Sequence, residues 1–274
     1  MAETEGAQPE DAERATAGKV FRALIEPLMV ALDRLGAVLL LTGQTLGWLI
    51  RPPYRFSQLF AAMDFIGVKS TFIVGLTGTF SGMVLALQTV HSLRQFSAEG
   101  VVGSIVAVSL CREISPVFAA LMVTARAGSA MAAELGNMRV TEQIDALTTM
   151  GVSPVQYLLS PRLLASVLML PLLFVLYTAV GMVGAYVVAV EWLSVDPGVF
   201  ISNIEKYLQP SDLFMGTTKA LVFGFLLCTI SCTQGFFASG GAKGVGEATT
   251  RAVVLSSVAV LVTNYLLTSW MTDV

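Results

Sequence analysis

Long stretches of uncharged residues alternate with short polar segments along this chain. Four stretches carry no charge over at least 21 consecutive residues, at 70–90, 163–190, 220–242 and 252–272. A fifth stretch of similar length, 100–125, is interrupted only by Arg112 and Glu113. An α-helix needs about 20 apolar residues to cross a bilayer core of about 30 Å. The pattern therefore predicts an all-α membrane protein with spans at about 67–91, 100–126, 160–190, 214–236 and 250–271.

The residues before the first span predict a different arrangement. Residues 35–50 form a stretch of 16 residues that contains Thr42, Gln44 and Thr45. This length fits a helix in the membrane interface better than a helix that crosses the bilayer. We therefore expect an N-terminal interfacial amphipathic helix over about 19–50, with a bend just after it at 51–53. Residues 1–18 have the composition of a disordered cytosolic tail, and 19–274 are expected to form a single domain.

A polar insert, residues 134–154, separates the second and third predicted spans. Val140, Ile144 and Leu147 recur at helical spacing, so they are expected to share one face of a helix over about 134–150. Polar side chains cover the rest of that helix: Arg139, Glu142, Gln143 and Asp145. We expect a short amphipathic helix that presents a binding surface to a soluble partner.

Composition and charge agree with a membrane protein. Of the 274 residues, 55% are hydrophobic and 13% are charged, whereas a soluble domain carries about a quarter charged residues. Lys and Arg concentrate before the first span and in the loops after the second and fourth spans. Because cytoplasmic loops are enriched in basic residues, we expect the N-terminus and the polar insert in the cytoplasm and the C-terminus outside. The net charge of −3 and the lack of a basic block argue against nucleic acid as a partner.

Arg112 and Glu113 are adjacent near the middle of the second predicted span. A charge at that depth costs at least a few kcal/mol, so both side chains should face protein or a wet cavity. Adjacent residues point about 100° apart on a helix and need not pair with each other. Two interpretations remain open: both residues tie the span to neighbouring helices, or they border a polar pocket for a charged headgroup. Arg126, at the end of the same span, is expected to anchor the helix at the interface.

Small residues recur along the first predicted span at Gly75, Gly78 and Gly82. Gly78 and Gly82 are four positions apart, so they share one face of a helix. Small residues one turn apart let two helices approach closely in lipid. These glycines either pack within the monomer or line a dimer seam or a cavity wall.

The sequence predicts no catalytic residue and no metal site in this chain. The single histidine, His91, has no cluster of His or Cys at ligand spacing around it. Cys228 and Cys232 lie in an apolar stretch and are expected to be packing residues. The loop 239–244 lacks the Gly and the Ser/Thr that a phosphate-binding loop requires around its Lys. We therefore expect no cofactor in this chain, and any ATP should be bound by a partner subunit.

Several separated motifs, in order, resemble the MlaE family of ABC permeases. They are Arg112-Glu113-Ile114-Ser115-Pro116, Arg126-Ala127-Gly128, the run 131–146, Ser160-Pro161-Arg162, Pro171-Leu172-Leu173 and Gly246-x-Ala248-Thr249-Thr250-Arg251. The resemblance covers about residues 20–272. Glu247 departs from the pattern, because a basic or neutral residue is expected at that position.

The resemblance implies the permease subunit of a Gram-negative inner-membrane complex that moves phospholipids between the two membranes. In that family two permease copies lie beneath a periplasmic hexamer of MCE-domain protein and above an ATPase dimer, often with a STAS-domain protein. The polar insert is then the coupling helix, seated in a groove of the ATPase, and the lipid pocket lies between the two permeases. The implied coupling residues are Glu134, Arg139, Val140, Glu142, Gln143, Ile144, Asp145 and Leu147, and the candidates for the lipid pocket are Arg112, Glu113 and Arg126.

Two other functions remain open at this point. A proton-driven lipid carrier requires a chain of carboxylates or histidines through the membrane, and only Glu113 lies deep in a predicted span. A membrane scaffold that docks lipid-transfer proteins requires no cavity. The cargo also stays open between phospholipids and sterols or other apolar molecules, and no motif determines the direction of transport.

Overall fold

The computed structural model describes residues 36–49 and 56–272. The chain separates into two compact units, Met1–Gln44 and Thr45–Val274. The described residues of the first unit belong to a short apolar helix, α1, which covers Gly36–Leu49. The predicted cytosolic tail, the first part of the predicted interfacial helix and the predicted bend at 51–53 lie outside the described residues.

All other described helices lie in the second unit. They are α2 (Phe56–Ile66), α3 (Thr71–Arg94), α4 (Val102–Ser109), α5 (Ser115–Val123), α6 (Ser129–Val140), α7 (Gln143–Thr149), α8 (Ser160–Tyr186), α9 (Pro197–Tyr207), α10 (Pro210–Phe236) and α11 (Gly241–Thr272). Short 3-10 turns precede α3 and α4, at Val68–Ser70 and Glu99–Val101. Wider π-helical turns occur at Leu110–Ile114, Thr124–Gly128, Val155–Leu159 and Val187–Trp192. Residues 36–49 and 56–272 contain no β-strand.

Five helical stretches are long and apolar enough to cross a membrane, which confirms the predicted number of spans. They run over Phe56–Arg94, Glu99–Val140, Val155–Trp192, Pro210–Phe236 and Gly241–Met271. They extend beyond the predicted bounds because a helix continues into its polar flanks, which a hydrophobic pattern does not register. Lys243 and Glu247, for example, lie before the predicted fifth span but belong to the first turns of α11. Glu247 Oε2 lies 2.9 Å from Arg251 Nη2 one turn later.

The loop between the third and fourth spans contains α9, which the hydrophobic pattern does not predict. Asp196 Oδ1 accepts a hydrogen bond from Val199 N at 2.8 Å, and Pro197 occupies the first helical position. Phe200 is buried against Tyr186, with ring centroids 5.7 Å apart. An Asp N-cap followed by Pro is a helix-start signal, so the start of this helix could have been predicted from these two residues.

The polar insert is not a single helix, so the predicted amphipathic helix over 134–150 is wrong. Span two continues to Val140 as α6, and α7 covers only Gln143–Thr149. Between them Glu142 has a φ of +59°, in the left-handed region where an α-helix does not continue. Val140 and Ile144 therefore lie on separate helices rather than on one stripe.

Packing within the chain explains why α6 continues so far. Leu135 is buried, and a Cβ added at Gly136 would lie 3.3 Å from both Ala238 Cβ and Val245 Cγ1. These contacts join the end of span two to the connection between α10 and α11. The helix is prolonged here by tertiary contacts, which a sequence pattern does not reveal.

A glycine seam joins α3 to α8. A Cβ added at Gly82 would overlap the backbone of Gly181, and one added at Gly78 would lie 3.0 Å from Tyr177 O. An added Cβ at Gly75, in contrast, meets nothing within 4 Å. Gly78 and Gly82 therefore pack within the monomer. A role for Gly75 at a dimer seam or a cavity wall stays a prediction.

Gly82→Val should destabilise the fold, because the new side chain would overlap the Gly181 backbone. We expect the free energy of unfolding to fall by about 2 kcal/mol. Gly75→Val is the matched control, since its Cβ has open space on the same helix. Thermal unfolding of both purified variants in detergent measures the difference. Equal melting temperatures would contradict close packing at the seam.

Candidate functional site

Arg112 lies on the π-helical turn Leu110–Ile114 of span two and pairs with the fourth span. Its Nε and Nη2 atoms each lie 2.6 Å from Asp212 Oδ1. Asp212 is buried in the first turn of α10, where its Oδ2 accepts a hydrogen bond from Gln209 N at 2.9 Å. One carboxylate therefore caps α10 and holds the guanidinium of the neighbouring span.

Glu113, the next residue, pairs with Lys219 of α10, which is fully buried. Lys219 Nζ lies 2.7 Å from Glu113 Oε1, 2.7 Å from Thr268 Oγ1 and 2.9 Å from Arg112 O. An ammonium has three N–H donors, so these three acceptors satisfy it. The carbonyl of Arg112 is available because Pro116 has no N–H to donate to the residue four positions earlier.

Helix α11 completes the cluster. Asn264 Nδ2 donates to Glu113 Oε2 at 2.9 Å, on the carboxylate oxygen that Lys219 does not take. We call the six side chains together the intramembrane network: Arg112, Glu113, Asp212, Lys219, Asn264 and Thr268. Its two cations and two anions cancel, and each charge has an opposite partner. Such pairing is what makes buried charge tolerable inside a membrane-spanning bundle.

The intramembrane network is open on one part of its surface. The side chains of Arg112 and Glu113 are 43% and 38% exposed, whereas those of Asp212 and Lys219 are 1% and 0% exposed. The two buried charges therefore hold the two accessible ones in place. The arrangement can present a guanidinium to a phosphate and a carboxylate to an ammonium.

The sequence identified half of the charges in this network. Arg112 and Glu113 tie span two to neighbouring helices, as the first interpretation states, while a headgroup pocket beside them stays a prediction. Asp212, Lys219, Asn264 and Thr268 were not predicted. The available signal was Lys219, because it lies inside the predicted span 214–236 and a cation at that depth needs an acidic partner.

Arg126 joins span two to the junction between α2 and α3. Its Nη1 donates to Phe65 O and lies 3.2 Å from Ser70 Oγ, and the guanidinium lies 5.0 Å from the centroid of the Phe65 ring. Arg126 is 14 positions after Arg112, roughly 20 Å along the helix. The structure therefore does not bring Arg126 into the intramembrane network, and its contacts are those of an anchor.

The predicted coupling residues divide between two helices and the turn that joins them. Arg139 Nη1 lies 2.7 Å from Asp145 Oδ1, and this pair bridges α6 and α7. Glu134 Oε2 lies 3.1 Å from Arg162 Nη2 of the third span. Ile144 is only 2% exposed, so the prediction that it fills a groove of a partner is wrong: it packs inside the chain.

The surface that remains exposed around α7 mixes apolar and polar side chains. Val140 and Met150 are exposed, Leu147 is partly exposed, and Glu142 and Gln143 lie beside them. We call these five residues the α7 patch. Apolar side chains with a polar rim are typical of a protein–protein interface.

Cys228 and Cys232 share one face of α10, with their Sγ atoms 3.7 Å apart, and both are buried free thiols. Their surroundings are those of packing residues. Within residues 36–49 and 56–272, no group of three or more His, Cys, Asp or Glu side chains is placed to hold a metal ion.

Lys219→Met should destabilise the fold, because Glu113 and the Arg112 carbonyl lose the ammonium that joins them. We expect a loss of about 3 kcal/mol, typical of breaking one side of a buried ion pair. The double variant Glu113→Gln/Lys219→Met should recover part of it, since no charge is left unpaired. The melting temperatures of these two variants and of Glu113→Gln give a double-mutant cycle for the Glu113–Lys219 pair. Lys206→Met, at an exposed position of α9, is the control. Strictly additive losses would contradict the pairing.

Comparison with known proteins extends these observations. The family profile described as Permease MlaE matches residues 59–270. A probable ABC transporter permease protein of Rickettsia bellii is 44% identical over 220 residues, which cover 80% of this chain and 85% of the relative. The intermembrane phospholipid transport system permease protein MlaE of Haemophilus influenzae is 39% identical over 244 residues, 88% of this chain and 92% of the relative.

A plant protein is also similar. TRIGALACTOSYLDIACYLGLYCEROL 1, a chloroplastic protein of Arabidopsis thaliana, is 34% identical over 234 residues, which cover 85% of this chain and 67% of the relative. The family match contains the whole intramembrane network and the α7 patch, and it includes parts of all five spans. Profile, identity and architecture agree, and the chain belongs to the MlaE family of permeases.

Proposed function

We propose that this chain is the membrane subunit of an ABC transporter that moves phospholipids between the inner and outer membranes of a Gram-negative bacterium. The functions printed in the names of its relatives support this role. The observation that carries it is the accessible pair Arg112 and Glu113, held in place by buried Asp212 and Lys219. A phospholipid headgroup carries a phosphate and often an ammonium, which are the groups that such a pair binds.

The proposed assembly follows from the charge distribution and the α7 patch. Basic residues concentrate on one side of the spans, which favours an inner-membrane chain with a cytoplasmic N-terminus and a periplasmic C-terminus. Two copies then face each other around the lipid, beneath a periplasmic MCE-domain hexamer. An ATPase dimer binds the α7 patches from the cytoplasm, together with a STAS-domain protein. ATP is bound by that partner and not by this chain.

Span two provides the mechanical link between the ATPase and the lipid. It is helical without a loop over Glu99–Val140, so movement of its cytoplasmic end displaces Arg112 and Glu113. The Arg139–Asp145 pair attaches α7 to that end. Closure of the ATPase dimer on ATP therefore narrows the space between the two copies and moves the bound headgroup.

A proton-driven lipid carrier is the second candidate. The observation that favours it is the set of four ionisable side chains in the intramembrane network, because proton relays use such groups. A scaffold without transport leaves the exposure of Arg112 and Glu113 unexplained. A sterol cargo has no charge to offer these two residues, so the network favours phospholipid.

ATP-dependent lipid transfer tests the proposal. The chain, purified with its ATPase and MCE partners and reconstituted in vesicles, should transfer labelled phospholipid only while ATP is hydrolysed. Transfer driven by a pH gradient without ATP would establish the carrier instead. A complex with neither transfer nor copurifying lipid would establish the scaffold.

Glu142→Lys tests the α7 patch. The change reverses one exposed charge and keeps the backbone preference, since neither residue type favours a positive φ. We expect ATPase stimulation by lipid to fall by roughly tenfold, the effect of losing about 1.4 kcal/mol of interface energy. Glu205→Lys, at an exposed position of α9 near the other end of the spans, is the matched control. Normal coupling in an assembled Glu142→Lys complex would remove this residue from the interface.

A further inference from the structure

A cavity of about 420 Å³ lies between α2, α6 and the start of the third span. Four charged side chains line it: Asp64, Lys69, Glu134 and Arg162. Apolar side chains, among them Phe65 and Leu158, form much of the remaining wall. Its volume is within the range of pockets that hold small ligands or lipid headgroups.

The four charges sum to zero and form two ion pairs. Lys69 Nζ lies 3.5 Å from Asp64 Oδ2, and Arg162 Nη2 lies 3.1 Å from Glu134 Oε2. The side chains of Asp64, Lys69 and Glu134 are 53%, 56% and 54% exposed. Exposed ion pairs at these distances are weak. A ligand that carries both charges can therefore replace them without leaving any of the four groups unpaired.

Two polar atoms of the lining residues have no hydrogen-bond partner among the described residues. They are Gln58 Oε1, an acceptor, and Arg162 Nη1, a donor, and both atoms are buried. A buried guanidinium N–H without a partner favours an anionic acceptor, and a buried amide oxygen favours a donor. Two lining residues therefore each carry a buried polar atom whose hydrogen bond no described residue supplies.

The cavity lies toward the end of span two that leads into α7. Its lining residue Glu134 is six positions before the end of the helical stretch Glu99–Val140, and the polar ends of membrane-spanning helices lie at the level of the headgroups. Phe56, Phe60 and Val68, on and just after α2, have exposed side chains. An apolar surface beside the cavity is suited to contact acyl chains.

We propose that this cavity holds the headgroup of a phospholipid that carries a phosphate and a primary ammonium. The phosphate lies between Lys69 and Arg162, and the ammonium donates to Asp64, Glu134 and Gln58. A neutral cavity matches a zwitterion better than an anionic lipid, and N–H donors distinguish a primary ammonium from a quaternary one. The site is separate from the intramembrane network, and its occupancy does not depend on transport.

Lipid retention by the purified full-length chain tests this site. The chain is equilibrated in nanodiscs with equal amounts of phosphatidylethanolamine, phosphatidylcholine and phosphatidylglycerol, and retained lipids are counted by native mass spectrometry. Asp64→Asn/Lys69→Gln should lower phosphatidylethanolamine retention about tenfold. Glu205→Gln/Lys206→Gln, an exposed acid–base pair on α9, is the matched control and should change nothing. Both substituted pairs are solvent-exposed, so the fold should persist.

A photo-crosslinking amino acid at Ala61, an exposed lining residue, locates the retained lipid. Capture of phosphatidylethanolamine there, lost in Asp64→Asn/Lys69→Gln, supports the site. No capture, or equal capture of phosphatidylglycerol, overturns it. Displacement of the lipid by water-soluble glycerophosphoethanolamine at millimolar concentration would support recognition of the headgroup by this cavity. These measurements need neither ATP nor partner proteins, so their failure leaves the proposed transport function untouched.

Discussion

The burial of Lys219 is the strongest single constraint on how the spans pack. An ammonium without access to water must find its acceptors inside the protein, since an unpaired charge in the bundle costs several kcal/mol. Its acceptors come from span two and from α11, so α10 has one compatible register against both. Turning α10 by one residue would swing the ammonium by about 100° and leave Glu113 and the Arg112 carbonyl unpaired.

Close packing between the spans holds the helices that carry the intramembrane network. Lipid gives little hydrophobic force between spans, so helices associate through packing at small residues and through hydrogen bonds. The α3–α8 seam at Gly82 and Gly181 is one such contact. Another joins α8 to α10, where Ser166 Oγ donates to Gly224 O at 2.8 Å and a Cβ at Gly224 would lie 2.6 Å from Ser166 O. The third span is thus packed closely on two sides. The intramembrane network then determines the register of α10 within this close-packed bundle.

The sequence predicted what depends on composition and missed what depends on distant contacts. The five spans followed from apolar stretches, and the need of Arg112 and Glu113 for polar surroundings followed from their place in one of them. Their partners did not follow, because Asp212 and Lys219 lie about a hundred positions away and a helical pattern contains no pairing information. The helix break at Glu142 was also not predicted. Glu has no preference for a positive φ, and the residues around it continue a helical pattern.

Span two carries both of the sites to which lipid binding is assigned, and this gives the helix a specific role. Glu113 belongs to the intramembrane network and Glu134 to the cavity beside α2, and an unbroken helix joins them. A rigid rotation or shift of this helix would therefore alter the two proposed headgroup sites together, and the α7 patch, where we propose that the ATPase binds, lies at the end of the helix. The π-helical turn Thr124–Gly128 lies between the sites, and the helix continues through it without a break. Arg126 lies on that turn and is tied to Phe65, so a shift of span two also acts on α2, which lines the cavity.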